Sequence, residues 1–86
     1  MNNKPLLEDL RLFCTVVRKR SFVAAALELA VSKAQVSKRI ALLEIALDVR
    51  LLHRTTRSVG VTEDGNIVHQ WAQRILEDVD QMTEAV

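Results

Sequence analysis

The sequence predicts a mainly α-helical fold with a short β-hairpin in its second half and one long helix at its C-terminus. Among the 86 residues there are only two Gly, one Pro and three Phe or Trp, so residues that favour turns and strands are scarce. Apolar residues recur at steps of three and four along most of the chain, which is the period of an amphipathic helix. Hydrophobic residues make up 49% of the chain, which is enough for one small core but not for two.

The first two helices are predicted from their apolar spacing and their ends. A helix over roughly residues 5–19 begins at Pro5, which suits a first turn, and ends in the basic run 18–20, where cations complement the helix dipole. Its apolar face consists of Leu6, Leu7, Leu10, Phe13, Cys14 and Val17. Ser21 is a typical N-cap for a second, shorter helix, which is followed by a brief break at residues 29–31.

The third helix is predicted to begin near Lys33. Ser32 is a second N-cap candidate, and Gln35 completes the capping-box pattern Ser-x-x-Gln. The apolar residues that share a narrow arc, and therefore form the core face, are Val36, Ile40, Leu43 and Leu47. The opposite surface is small, polar and basic, so Lys and Gln there could hydrogen-bond to base edges. It is formed by Ala34, Ser37, Lys38 and Ala41, with Lys33 and Gln35 at the first turn.

Beyond Asp48, two very short β segments are predicted around the basic loop 53–58. Thr62 is an N-cap candidate for the last helix, which spans some twenty residues or about 30 Å. A helix of this length exceeds what a body of sixty residues covers, so its apolar stripe is expected to pair with a second copy, although docking on its own domain stays open. The stripe residues predicted at this dimer interface are Val68, Trp71, Ile75, Val79 and Met82.

Charge is distributed unevenly along the chain. Residues 1–60 carry eleven Lys or Arg against five Asp or Glu, whereas residues 61–86 carry one against six. A basic body suggests a polyanionic partner, although chance clustering on a solvated surface would produce the same count. Two short helices across a tight break form a helix-turn-helix, and the basic hairpin makes it a winged helix-turn-helix with a three-helix core.

Several spaced motifs carry a resemblance to a known family. The series LRLFCTVV, SFVAAALELAVSKAQVSKRIALLE and LLHRTTRSVGVTEDG resembles the N-terminal domain of LysR-type transcriptional regulators, from about Leu7 to Gly65. The resemblance implies a winged helix-turn-helix DNA-binding domain at residues 1–62 and a linker and dimerisation helix at residues 63–86. It also implies a bacterial, cytoplasmic homodimer that binds double-stranded DNA at dyad-related half-sites and regulates transcription.

The resemblance assigns roles to individual residues. The positions that face bases from the recognition helix are Lys33, Ala34, Gln35, Ser37 and Lys38. The positions that contact the DNA backbone, from helix starts and the wing, are Ser21, Ser32, Arg54, Thr55, Thr56 and Arg57. Glu44 matches an acidic residue with a structural role.

This chain also departs from the family pattern. Ala30 and Asp48 stand where residues tolerant of a left-handed backbone are common, and for Ala30 such a conformation costs roughly 1–2 kcal/mol. Ala41 and Leu42 replace residues that are often basic, so base reading is expected from the first two turns of the helix only. The larger effector-binding domain of the family is absent from this chain, so the chain is either an excised fragment or a natural short protein. We expect the fragment and place any small-molecule effector on the missing domain.

Other functions have weaker support in the sequence. His53 and His69 are isolated and expected at the surface, Cys14 is expected as a buried small hydrophobe, and no spacing indicates a metal, a cofactor or an enzyme. The single cysteine excludes an internal disulfide and fits a reducing compartment, and no apolar run is long enough to span a membrane. The alternative kept open is a protein-interaction module that dimerises through the last helix without binding DNA.

Overall fold

The computed structural model describes residues 5–54 and 59–86, and within these ranges it has the predicted order of three helices, a hairpin and one long helix. The β-hairpin is a two-stranded antiparallel sheet. The elements are α1 (Leu7–Lys19), α2 (Phe22–Leu29), α3 (Lys33–Leu47), β1 (Leu52–Arg54), β2 (Val59–Val61) and α4 (Glu63–Ala85). The predicted mainly α winged helix-turn-helix fold is therefore confirmed.

A single core lies between α1 and the elements that pack around it. Helix α1 contacts α2, α3 and α4, and it places Phe13 and Val16 entirely out of solvent. The largest side chains that are fully buried with them are Ile40, Leu43, Leu51, Leu52 and Val36. Burying an aliphatic or aromatic side chain of this size contributes about 1.5–3 kcal/mol. The predicted core face of α3 is confirmed by its three buried members, and Leu47 packs against the same core with partial burial.

The first turn of α1 differs from the prediction. Leu6 is the N-cap and is 54% exposed, while Leu7 in the first turn is 46% exposed. Pro5 therefore precedes the N-cap instead of occupying the first turn. The apolar face of α1 is rotated accordingly, because Leu12 and Val16 are buried and Cys14 and Val17 are only half-buried.

Three helices end at residues with a left-handed backbone conformation. Arg20, Ala30 and Asp48 follow α1, α2 and α3 with φ of 54°, 58° and 55°. After α2, the Val31 N–H donates to the Ala26 carbonyl over 3.0 Å, which is the long bond of a Schellman motif, and an equivalent bond closes α3. The positions at which the family commonly has residues tolerant of a left-handed backbone, Ala30 and Asp48, do adopt that conformation here.

Helix α4 is anchored to the chain that leads into β1. The Thr62 hydroxyl donates to the Arg50 carbonyl over 2.5 Å and accepts the Gly65 N–H over 2.8 Å, so one side chain caps α4 and fastens it to the preceding loop. The backbone comes so close here that a Cβ on Gly65 would lie 2.1 Å from the Leu51 carbonyl oxygen. The same segment is held from α3, because the Glu44 carboxylate accepts the Leu51 N–H over 2.8 Å.

Two adjacent faces of α4 have different surroundings. The buried face packs on α1 through Ala72 and Leu76, and Val68 packs against the same core with partial burial. The other face is apolar and exposed, and we call it the exposed stripe. It consists of Ile67, Trp71, Ile75 and Met82. The prediction that His69 is solvated was wrong, because it is partly buried and its ring meets the Phe13 ring edge-on at 6.2 Å.

Among residues 5–54 and 59–86, no helix combines the length and the apolar character that crossing a bilayer requires.

Candidate nucleic-acid interface

Both helices of the helix-turn-helix begin at serine caps. The Ser21 Oγ accepts the Ala24 N–H, and the Ser32 Oγ accepts the Gln35 N–H, each over 3.0 Å. These bonds satisfy one of the free N–H groups at each helix start, and the remaining ones, with the positive end of the helix dipole, favour an anion. Ser32 is exposed and Ser21 is half-buried, so both helix starts lie at the surface.

The first two turns of α3 present a polar surface to solvent. Lys33, Ala34, Gln35 and Lys38 are exposed, and Ser37 is half-buried. Val36 on the same turns is fully buried, so the core holds the helix from behind while these side chains face outward. The structure therefore brings the five predicted base-facing residues to one end of one helix.

The outward surface of α3 changes character after Lys38. Ala41 is exposed, Leu42 is 43% exposed and Ile45 is 73% exposed. These side chains offer neither a positive charge nor a hydrogen-bond donor. Positive charge and side-chain hydrogen-bond donors on the outward surface of α3 are consequently confined to its N-terminal half.

Ion pairs offset two of the three positive charges of α1, because Arg18 and Lys19 share the carboxylate of Glu28. Arg11 pairs with Asp80 over 3.4 Å, and Lys19 pairs with Glu28 over 3.4 Å. Arg18 also pairs with Glu28, and its hydrogen bond lowers the pKa of that carboxyl. Exposed pairs of this kind stabilise a fold only weakly, but they do neutralise charge locally.

Four cations outside α1 and α4 have no such partner. In the part of the chain that the structure describes, the side chains without an ion pair in this region are Arg20, Lys33, Lys38 and Arg50. Two of them lie on α3, one precedes Ser21 at the start of α2, and one precedes β1. The positive charge that remains available therefore surrounds the helix-turn-helix and the approach to the wing.

The wing is described only at its base. Arg54 pairs with Val59 and His53 with Gly60 in the antiparallel ladder, and His53 is exposed as expected. The predicted wing residues Thr55, Thr56 and Arg57 lie outside the described residues, as does the side chain of Arg54.

One polar contact beside α3 was missed by sequence reasoning. Asp9 is only 7% exposed, and its Oδ1 lies 3.6 Å from the Arg39 Nη1. Thirty residues separate the two, so no local spacing links them. An acidic residue on an otherwise apolar helix face was the available signal, but it does not indicate which cation is its partner.

The described residues also bear on metal binding. Residues 5–54 and 59–86 contain no group of three or more His, Cys, Asp or Glu side chains placed to hold a metal ion. Cys14 is half-buried, and burial raises the pKa of its thiol, which disfavours the reactive thiolate.

A capped basic helix at the surface of a three-helix core, followed by a β-hairpin, defines a winged helix-turn-helix DNA-binding domain. The chain belongs to the LysR family, because the family model described as "Bacterial regulatory helix-turn-helix protein, lysR family" matches residues 7–66.

Named relatives agree with this assignment. The HTH-type transcriptional regulator DmlR of Escherichia coli (strain K12) is 62% identical over 84 residues, which cover 98% of this chain and 27% of the relative. The HTH-type transcriptional activator AaeR of the same organism is 41% identical, over 91% of this chain and 25% of the relative. The chain thus spans about a quarter of the length of these curated relatives.

Solved structures extend the similarity to DNA complexes. The BenM DNA-binding domain in complex with catB site 1 DNA superposes with a TM-score of 0.90 at 38% identity, covering 93% of this chain and 89% of that chain. The CbnR DNA-binding domain in its DNA complex has a TM-score of 0.90 at 30% identity, covering 93% and 92%. Both coverages are high, so the similarity includes the helix-turn-helix, the hairpin and α4.

Proposed function

We propose that this chain binds double-stranded DNA sequence-specifically as a homodimer and thereby serves transcription regulation. Support comes from relatives that are named transcriptional regulators and from structural neighbours that were solved with DNA. The proposal rests mainly on Lys33 and Lys38, two exposed cations on the first turns of α3 that have no ion-pair partner among the described residues. Val36 and Ile40 are fully buried on the opposite side of α3 and fix the helix to the core. Nothing in this role requires catalysis, a cofactor or a metal.

The first two turns of α3 enter the major groove in this proposal. An α-helix fits that groove, and Lys and Gln side chains bond to the edges of guanine and adenine there. Lys33, Gln35 and Lys38 supply these groups, while Ala34 and Ser37 are small enough to let the helix approach the bases. Leu42 and Ile45, further along, give no polar readout.

The DNA backbone is contacted on both sides of α3. The capped starts of α2 and α3, at Ser21 and Ser32, direct N–H groups toward phosphate. Arg54 and the wing residues Thr55, Thr56 and Arg57 follow the adjacent backbone. These contacts position the domain, whereas the α3 side chains select the sequence.

Dimerisation is assigned to the exposed stripe of α4. Trp71 is 58% exposed and Met82 is 62% exposed, and such large apolar side chains on one helix face favour burial against a second copy. Of the predicted interface residues, Val68 and Val79 are only half-exposed, so the interface centres on Trp71, Ile75 and Met82. A two-fold dimer places its two α3 helices at dyad-related half-sites. Any effector acts in the cytoplasm through a domain outside this chain.

Binding to mixed-sequence duplex DNA across a salt series tests the proposal. We expect affinity to fall linearly on a log–log scale with a slope of about −0.9 for each phosphate neutralised. Lys38→Ala should reduce discrimination between the preferred sequence, selected from a random library, and random duplex by about tenfold, or roughly 1.4 kcal/mol.

A matched variant controls for loss of charge. Lys19→Ala removes a cation that is already paired with Glu28, so sequence discrimination should stay at the wild-type level. Absence of any salt-dependent binding at low ionic strength would refute DNA binding and leave a dimerisation module as the alternative.

A further inference from the structure

The carboxylate of Asp9 is held between the start of α1 and the flank of α3. Its side chain is 9% exposed, and the Arg39 guanidinium reaches it with an Nη1–Oδ1 distance of 3.6 Å. Asp9 lies in the first turn of α1, where the helix dipole also favours a negative charge. Asp9 therefore presents a mostly buried negative charge toward α3, with Arg39 as its ion-pair partner.

Arg39 is the cation closest in sequence to the base-reading side chains. It follows Lys38 directly and lies one turn after Gln35, between the outward surface of α3 and its core face. Its side chain is 34% exposed, so it has access to solvent at the edge of the α3 surface. A free arginine at this position would have the reach to contact a phosphate beside the groove.

The charged residues around Asp9 and Arg39 favour the ion pair between these two side chains. An open cavity of about 250 Å³ lies beside them, and Glu8, Arg11 and Gln35 contribute to its walls. Arg11 is engaged by Asp80, and Glu8 adds a second negative charge on the same side of α1. Within the described residues, local charge thus draws Arg39 toward α1.

We propose that Asp9 is a positioning residue that holds Arg39 against α1 and keeps its charge off the DNA backbone. The inference rests on the proposed function and concerns how α3 separates specific from non-specific binding. Phosphate contacts carry no sequence information, so an additional arginine contact would strengthen binding to every duplex and lower the ratio of specific to random affinity. With Arg39 held against α1 and away from phosphate, Lys33 and Lys38 are the cations of α3 that have no ion-pair partner among the described residues.

The test compares the salt dependence of binding to mixed-sequence duplex for four proteins: the 86-residue chain, Asp9→Asn, Arg39→Gln and the double variant. Asp9→Asn releases Arg39 and should add about one phosphate contact, so affinity should fall three- to fourfold more between about 50 and 200 mM salt than in the wild type. Arg39→Gln alone should keep the wild-type slope. The double variant should return to that slope, since the released cation is gone.

Two further variants separate this role from a purely structural one. Asp9→Glu keeps the negative charge and should keep the wild-type slope. Asp78→Asn makes the same charge change at an exposed position of α4 that has no ion pair among the described residues, and it should leave the slope unchanged. If Asp9→Asn only weakened the fold, binding to every duplex would fall and the slope would not steepen.

Two results would overturn the inference while leaving DNA binding intact. One is an unchanged slope in folded Asp9→Asn. The other is a shallower slope in Arg39→Gln, because it would mean that Arg39 already contacts phosphate in the wild type. This second result can be obtained even if Asp9→Asn does not fold. Absence of salt-dependent binding by the wild type would instead refute the proposed function itself.

Discussion

At the scale of single residues, the ends of the helices carry backbone strain. Arg20, Ala30 and Asp48 all have positive φ, and none of them is glycine. Asp tolerates this conformation better than Ala because its short polar side chain bonds locally. Ala30 has no such compensation, although it occupies the turn that sets the angle between α2 and the recognition helix. Strain is therefore stored at the centre of the helix-turn-helix.

Ala30→Gly should stabilise the fold. Relief of left-handed strain contributes roughly 1–2 kcal/mol, and the greater freedom of glycine in the unfolded chain offsets about 0.4–1 kcal/mol of it. We expect the free energy of unfolding to rise by about 0.5–1 kcal/mol in urea titrations at one protein concentration. The matched change Ala41→Gly, at an exposed site inside α3, should instead lower it by about 1 kcal/mol. Destabilisation by both variants would contradict the strain at Ala30.

Glu44 illustrates a buried polar residue whose structural role was expected and is confirmed. It is 8% exposed, and its carboxylate accepts the Leu51 N–H over 2.8 Å. A buried N–H without a partner costs about 1–3 kcal/mol, so this contact secures the chain where it enters β1. Glu44 therefore links α3 to the start of the hairpin, and its side chain lies among buried groups instead of on the outward surface of α3.

At the scale of elements, the start of α4 depends on a close backbone approach. Gly65 and Gly60 both have negative φ, so neither is required for an unusual backbone conformation. The two positions differ in the room that is available for a Cβ atom. A Cβ at Gly65 would lie 2.1 Å from the Leu51 carbonyl oxygen and 2.7 Å from Val61, whereas at Gly60 the nearest atom is the His53 Cβ at 3.8 Å. A glycine is therefore needed at position 65 for α4 to dock where Thr62 caps it.

Gly65→Ala should accordingly destabilise the domain by about 3 kcal/mol, because backbone must move to admit the methyl group. Thermal and urea unfolding measure the loss, and near-ultraviolet circular dichroism through Trp71 reports whether α4 shifts. Gly60→Ala is the control, and its effect should stay within about 0.5 kcal/mol. Equal stability of the two variants would mean that α4 does not approach Leu51 this closely.

At the scale of the whole molecule, α1 organises both the packing and the charge. It pairs with α4 through Arg11–Asp80, with α2 through Lys19–Glu28 and with α3 through Asp9–Arg39. These ion pairs neutralise charge within the domain. Lys33 and Lys38 have no ion-pair partner among the described residues, so their charges remain available to bind an anion. The long axis of the molecule is 45 Å, and α4 with its 23 residues accounts for about 35 Å of it. One face of α4 closes the core, and the adjacent exposed stripe is the surface that we propose pairs with a second copy.

Trp71→Glu should weaken the dimer. A large aromatic side chain near the centre of an interface commonly contributes more than 1 kcal/mol, so we expect the dimer dissociation constant to rise about tenfold. Sedimentation equilibrium over a range of concentrations measures it. Gln70→Glu adds the same charge one residue away on an exposed polar position and should change the constant by less than about twofold. A wild-type chain that stays monomeric throughout would contradict the assignment of the exposed stripe.

Local patterns in the sequence were sufficient for most of the fold and for the polar outward surface of α3. The Ser21, Ser32 and Thr62 caps each act within three residues, and the α3 core face follows from a period of 3.6 residues, so both are readable along the chain. The first two turns of α3 were predicted for the same reason. The left-handed backbone at Ala30 was indicated only by the resemblance, in which residues that tolerate this conformation are common at that position.

Contacts between distant residues needed the tertiary structure. The Asp9–Arg39 pair, the Phe13–His69 ring contact and the division of α4 into a buried and an exposed face all depend on how α1 meets α3 and α4. Periodicity shows that a helix has an apolar side, but it does not show how wide an arc its neighbours cover or which charges they bring. The available charge on α3 is therefore a property of packing, because the ion pairs of α1 determine which cations remain free for DNA.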